Sequence, residues 1–122
     1  MLVNELRVIS AIIANQDIAP ALNESEIDKL FVEHPDVWQF MKDYYYKYRA
    51  VVPGDILVES FPDVGLVQTT GNVKHYIDQL RSEYMSNMLK RIAMGIGNDL
   101  GRVSVEDLVA AASAKLSDLA AI

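Results

Sequence analysis

The chain contains no cysteine. Disulfides, thiolate metal sites and cysteine nucleophiles are therefore excluded outright. Positive charge is also scarce: 11 Lys and Arg stand against 17 Asp and Glu, a formal net charge of −6. Non-specific affinity for nucleic acid comes mainly from clustered cations, so this balance argues against a large phosphate-binding face. No apolar run reaches the 18 or so residues that a membrane-spanning helix needs. The start, "MLVNEL", lacks the basic region of a secretory signal. These absences predict a cytoplasmic protein with no membrane partner. No glycine precedes a Lys-Ser/Thr pair, so the phosphate-gripping loop of nucleotide hydrolases is missing.

What remains is ample for folding. The 122 residues are 51% apolar, enough for the core of one domain. Nearly every segment has helical periodicity. Asn4 is placed to cap a first helix bearing Leu6, Val8, Ile9, Ile12 and Ile13, and "NQD" (15–17) ends it. A short helical piece follows at 18–22. In "NESEIDKLF" (23–31), Ser25 precedes Asp28 by three residues, a weak capping box. Asp36 can cap a helix over 37–49. "VVPGD" turns the chain into a short helix over 55–60, which stops before Pro62. Residues 62–72 read as loop by composition. "AVV" and "GLVQT" are the only strand-like stretches, and both are too short for a sheet.

From Asn72 onward the pattern changes. Val73, Ile77, Leu80, Tyr84, Met88, Ile92 and Ile96 recur at spacings of three and four, which predicts one long helix to about residue 98. "GNDLGR" (97–102) makes a turn, and its glycines, like those of "GIGNDLG" generally, read as helix termination rather than a phosphate loop. Ser104 and Asp107 then cap a last helix with Val105, Leu108, Val109, Ala112, Leu116 and Leu119 on one side. The fold class expected is all-α: a compact head of short helices (1–65), a loop (66–71) and a long antiparallel helical hairpin (72–122), one domain overall. The end, "KLSDLAAI", has no stop signal, which predicts that the chain is the front piece of a longer one.

The first hairpin helix also has a second apolar side, formed by Tyr76, Met85, Leu89 and Ala93. A helix apolar on two sides is buried on two sides. The expected dimer or partner interface therefore comprises Tyr76, Leu80, Tyr84, Met85, Met88, Leu89, Ile92, Leu108, Ala112 and Leu116. The run "YYYKYR" (44–49) interleaves rings and cations as a single-strand-binding platform would. Placed on the helix from Val37, however, Val37, Phe40, Met41, Tyr44 and Tyr48 form a core stripe. Trp38, Tyr45 and Tyr46 fall off it, and these are the exposed aromatic contacts expected to meet a partner. Lys42, Lys47 and Arg49 flank them, and Asp43 and Glu33 dilute the charge.

No catalytic constellation is present. His34 and His75 lie in different segments and have no third or fourth ligand arranged with them. Carboxylate pairs such as Asp55 and Glu59 fit a solvated helix face. Ser10, Ser60, Ser82 and Ser113 have no neighbouring activating group. No catalytic, cofactor-binding or metal residues are therefore assigned.

The order of segments resembles the N-terminal domain of DnaB-type replicative DNA helicases, phage or bacterial. Glu5 followed by "VISAII" resembles that family's opening helix, although Ser10 and Ala11 stand where Leu-Gly is usual. Phe31 and "HPDVWQFMKDYYYKY" resemble its Phe-, His- and aromatic-containing stretch. "VVPGDILVESFP" resembles the segment that opens a short helix, and "YIDQL" (76–80) resembles its Tyr-x-x-x-Leu entry to the hairpin. The resemblance implies a non-catalytic collar domain of a hexameric helicase. Such domains dimerise through their hairpins and dock primase or a helicase loader, while ATP and Mg belong to a separate ATPase domain outside these residues. It implies little direct DNA binding. The alternative is a small helical DNA-binding regulator of the helix-turn-helix type.

Overall fold

Helical propensity and capping chemistry divide the chain into seven helices among the described residues, 3–122, of the computed structural model. They are α1 (Val3–Asn15), α2 (Ala19–Leu22), α3 (Ile27–Leu30), α4 (Pro35–Tyr48), α5 (Gly54–Ser60), α6 (Val73–Asp99) and α7 (Val105–Ala120). No strand occurs among these residues, and the strand-like stretches at 50–52 and 65–69 are irregular. Pro20, Pro35 and Pro53 sit at or just before helix starts, where a missing N–H costs nothing.

Three caps differ from expectation. Asn4 lies inside α1, which is already formed at Val3, and its Oδ1 accepts from Arg7 at 3.3 Å. α4 begins at Pro35, one residue before Asp36. α3 is preceded by Glu26 in the left-handed region (φ 60°) with no side-chain cap, so the Ser25–Asp28 box does not form. Asp28 is used elsewhere. Its carboxylate accepts from the Trp38 indole N–H at 2.6 Å and from Lys42 at 2.9 Å.

The chain forms two compact units, one ending at Arg81 and the other running Ser82–Ile122. The boundary falls within α6, past the loop at 66–71, because Val73, Ile77 and Leu80 are buried in the first unit. With them in that core lie Val8, Ile9 and Ile12 of α1, Val37, Trp38 and Met41 of α4, and Leu57 of α5. Trp38 was expected to be exposed and is 2% exposed; its ring stacks on Phe31 at 5.0 Å. A polar partner for its N–H, supplied by Asp28, is what makes that burial affordable. Conversely Tyr48, in phase with Val37, is 56% exposed. It lies in the last turn of α4, where the covering elements no longer reach.

Side chains of α1 tie down the irregular segments. Glu5 is fully buried, and its carboxylate accepts from the backbone N–H of Glu33 (3.0 and 3.2 Å) and of His34 (2.9 Å), just ahead of α4. The buried Ser10 hydroxyl accepts from Val67 N–H at 2.9 Å, and Asn15 donates to the Gly71 carbonyl at 3.4 Å. From α6, the Tyr76 hydroxyl accepts from Thr70 and Gly71 N–H at 3.2 and 3.1 Å. Loop 61–72 is thus held by side chains in place of a ladder. Glu24 adds an ionic tie to the start of α6, 3.3 Å from Lys74 and 3.7 Å from Arg81, whose guanidinium also donates to the Ser25 carbonyl.

The second unit is the hairpin: the distal part of α6, a turn, and α7. Gly95 and Gly97 lie within α6 and do not end it; Gly101, at φ +87°, makes the turn. Ser104 caps α7 as expected, its hydroxyl accepting from Asp107 N–H at 3.2 Å. The core here is thin. Ile92, Leu108 and Leu119 are the buried apolar residues of this unit.

Candidate functional site

The hairpin leaves seven large apolar residues exposed, Leu89, Met94, Leu100, Val103, Val105, Val109 and Leu116, against three that are buried. A helix turns about 100° per residue, so positions can be placed around each axis. On α7, Leu108, Ala112 and Leu119 form one edge of an apolar arc. Val105, Val109 and Leu116 form the neighbouring edge, about 60° further round. The first edge is buried or half-buried; the second is 64%, 58% and 42% exposed. On α6, Met88 and Ile92 face inward, half-buried and buried, while Leu89, Ala93 and Gly97 stand exposed further round in the same sense.

In an antiparallel pair, rotation in the same sense about each axis opens onto the same side. The two exposed stripes therefore share one side of the hairpin, and Leu100, 65% exposed, lies at its turn end. The opposite side carries Asn87, Arg91 and Asn98 of α6 with Lys115 and Asp118 of α7, all exposed. That side also bears Met94, 68% exposed, between Arg91 and Asn98, so it is mixed, and the first side is the more continuously apolar of the two.

The residues expected to form the interface separate into three groups. Leu80, Ile92 and Leu108 are buried core residues. Tyr76, Tyr84, Met85, Met88 and Ala112 are half-buried. Leu89 and Leu116 are exposed and lie on the apolar side. Tyr76 has a task within its own unit: the two N–H groups on its hydroxyl, Gly71's foremost, favour the phenolate and hold its pKa below the usual phenol range. Val105, Val109 and Leu100 belong to the exposed side but were not singled out as partner contacts. The sequence pattern placed Val105 and Val109 with the residues facing α6, and only the width of the arc distinguishes the two edges.

Of the expected aromatic contacts, Trp38 is withdrawn as described above, Tyr45 is half-buried and Tyr46 is 56% exposed. Around Trp38, Lys42 lies 5.7 Å from the ring centre and, with the indole N–H, keeps the Asp28 carboxyl below the ordinary carboxylate range. Lys74 is held above the usual lysine range by Asp78 at 2.8 Å and then by Glu24. Both are structural ion pairs on single elements or between neighbours. Among the described residues no cluster of three or more His, Asp or Glu could hold a metal ion, and no helix is long and apolar enough to cross a membrane. No protein-family model, no curated protein and no solved structure matches the chain.

Proposed function

We propose that the chain is an assembly module that self-associates through the apolar side of its hairpin, as the non-catalytic collar domain of a hexameric replicative DNA helicase. One observation carries the self-association: a two-helix unit with a thin core displays Leu89, Leu100, Val105, Val109 and Leu116 on one side. These five side chains are 42–65% exposed, and apolar residues gathered on one side of an element in this way fit an interaction face. The helicase context rests on the sequence resemblance around Glu5, Phe31, "VVPGDILVESFP" and "YIDQL". Docking of primase or a loader, and the supply of ATP and Mg by a separate ATPase domain, follow from that context.

Groove-reading of DNA has little support. α2 carries no cation, and Lys29 of α3 is 3.0 Å from Glu26.

The two parts of the proposal are tested separately. Sedimentation equilibrium over a concentration series should show association in the wild type. Leu89→Asp with Val109→Asp, both at exposed positions, should abolish it while helix content is kept. A wild type that stays monomeric at its solubility limit overturns the association. The reading frame downstream of residue 122 tests the context: a P-loop ATPase domain is expected there, and a different neighbour overturns the helicase assignment alone.

A further inference from the structure

The two units are secured very differently. Among the described residues, all but three of the buried apolar side chains lie at or before Leu80. The three beyond it, Ile92, Leu108 and Leu119, are 8–9% exposed, whereas Ile9, Ile12, Trp38, Leu57 and Ile77 are at most 2% exposed. Long-range ties follow the same division. The hydrogen bonds between Glu5 and Glu33, Ser10 and Val67, and Arg81 and Ser25 join positions 28 to 57 apart, and all lie in the first unit. The Ser104 cap of α7 is local, reaching three residues along the chain.

The hairpin's own helices add little to hold it. α7 has 16 residues, close to the length at which an isolated helix is marginal in water. The distal part of α6 contains two interior glycines, which are poor helix formers. One end differs. Val73, Ile77 and Leu80 fix the first two turns of α6 in the core of the first unit. A helix is costly to nucleate and easy to extend, so the rest of α6 can melt and regrow from this stub while the first unit stays folded.

From this contrast we infer that the hairpin is a folding unit gated by assembly. In a lone chain it opens by itself, far more often than the first unit does, and association with a second copy holds it closed. The inference rests on the self-association proposed above and adds what that association controls. A second copy would cover Leu89, Val105, Val109 and Leu116, which are 42–64% exposed in the single chain, and so give the thin core the apolar burial it lacks. An open hairpin has lost that side, so opening must follow dissociation. An unassembled copy therefore offers distal α6 and α7 to proteases, and an assembled copy withholds them.

Hydrogen–deuterium exchange of the full chain, read by mass spectrometry over the concentrations used for sedimentation, tests this. At the lowest concentration, peptides within 85–120 should exchange at least about tenfold faster than peptides of α1 and α4. Above the dissociation constant, their exchange should slow about threefold for each tenfold rise in concentration, because the free fraction of a dimer falls as the square root of concentration. The α1 and α4 peptides should not change. Leu89→Asp with Val109→Asp should keep hairpin exchange fast at every concentration. Three results count against the inference. Hairpin peptides as protected as α1 in a sample that sediments as monomer would overturn it and leave self-association standing. Fast hairpin exchange in a sample that sediments as dimer would place the association elsewhere and overturn it too. A wild type that stays monomeric with flat exchange would overturn both the inference and the self-association beneath it.

Discussion

Gly95 and Gly97 offer a test in which stability and association move in opposite directions. Both lie inside α6, and a Cβ built on either meets nothing within 4 Å. Glycine in a helix interior is about 1 kcal/mol less favourable than alanine, because it loses more backbone freedom on folding. With no steric penalty to set against this, Gly95→Ala and Gly97→Ala should each stabilise the hairpin by about 1 kcal/mol, and the double variant by about 2 kcal/mol. At an m-value near 2 kcal/mol/M, each step moves the urea midpoint up by roughly 0.5 M, read by circular dichroism in dilute solution. The two sites should differ in association. Gly97 stands with Leu89 and Ala93 on the exposed apolar side, where a bare backbone lets a second helix come close; Gly95 points toward the half-buried side. Sedimentation equilibrium should show Gly97→Ala associating more weakly than wild type despite its greater stability, and Gly95→Ala associating normally. If Gly97→Ala gains no stability, the open-space reasoning is wrong. If it gains stability and associates like wild type, the glycine is not there for a partner.

Three other perturbations probe the first unit. Leu80→Ala removes a buried side chain from the core and should cost 2–5 kcal/mol in urea unfolding, far more than truncation of the exposed Leu89. Glu5→Ala leaves the N–H groups of Glu33 and His34 without their buried acceptor and should cost about 1–3 kcal/mol; a loss below a few tenths would mean water replaces the carboxylate freely. Asp28→Asn tests linkage. The folded-state pKa of Asp28 lies below its unfolded value, so its contribution is complete above about pH 4, the ordinary range for the unfolded group, and fades as pH falls through the folded value. The stability gap between wild type and Asp28→Asn should therefore be constant from neutrality to about pH 4 and close at lower pH; a gap that widens in acid would contradict the cause assigned to the shift.

Features carried by local periodicity were legible in the sequence. The stripe Val73–Ile77–Leu80–Ile92 and the Ser104 cap are statements about neighbours three and four apart, and the structure has both. The features that escaped are long-range. Glu5 looks like an ordinary first-turn carboxylate, and only contact with residues 28 and 29 positions away makes it a buried acceptor. Ser10 meets Val67 across 57 positions. Trp38 fell off the apparent stripe because its burial depends on Asp28 and Phe31 from the preceding segment. The exposed apolar edge of α7 was half legible: the sequence displayed an apolar arc, but its width became meaningful only once Leu108 and Leu119 were seen to occupy one edge. On the α4 stripe Val37 and Met41 are buried and Phe40 and Tyr44 half-buried, whereas Tyr48 is exposed, because no local pattern reports where the elements covering a helix stop.

The way loop 61–72 is secured bears on where a protease can cut. By composition it is the natural cleavage point, yet Ser10, Asn15 and Tyr76 fasten its main chain, and Val64 is buried. A backbone must peel away over several residues before it fits a protease cleft, and here each such excursion would break at least one of those fastenings. Nicking should begin instead in the exposed bend around Leu100–Val103, so that digestion trims the tip of the hairpin while the stretch richest in linker-like residues survives intact.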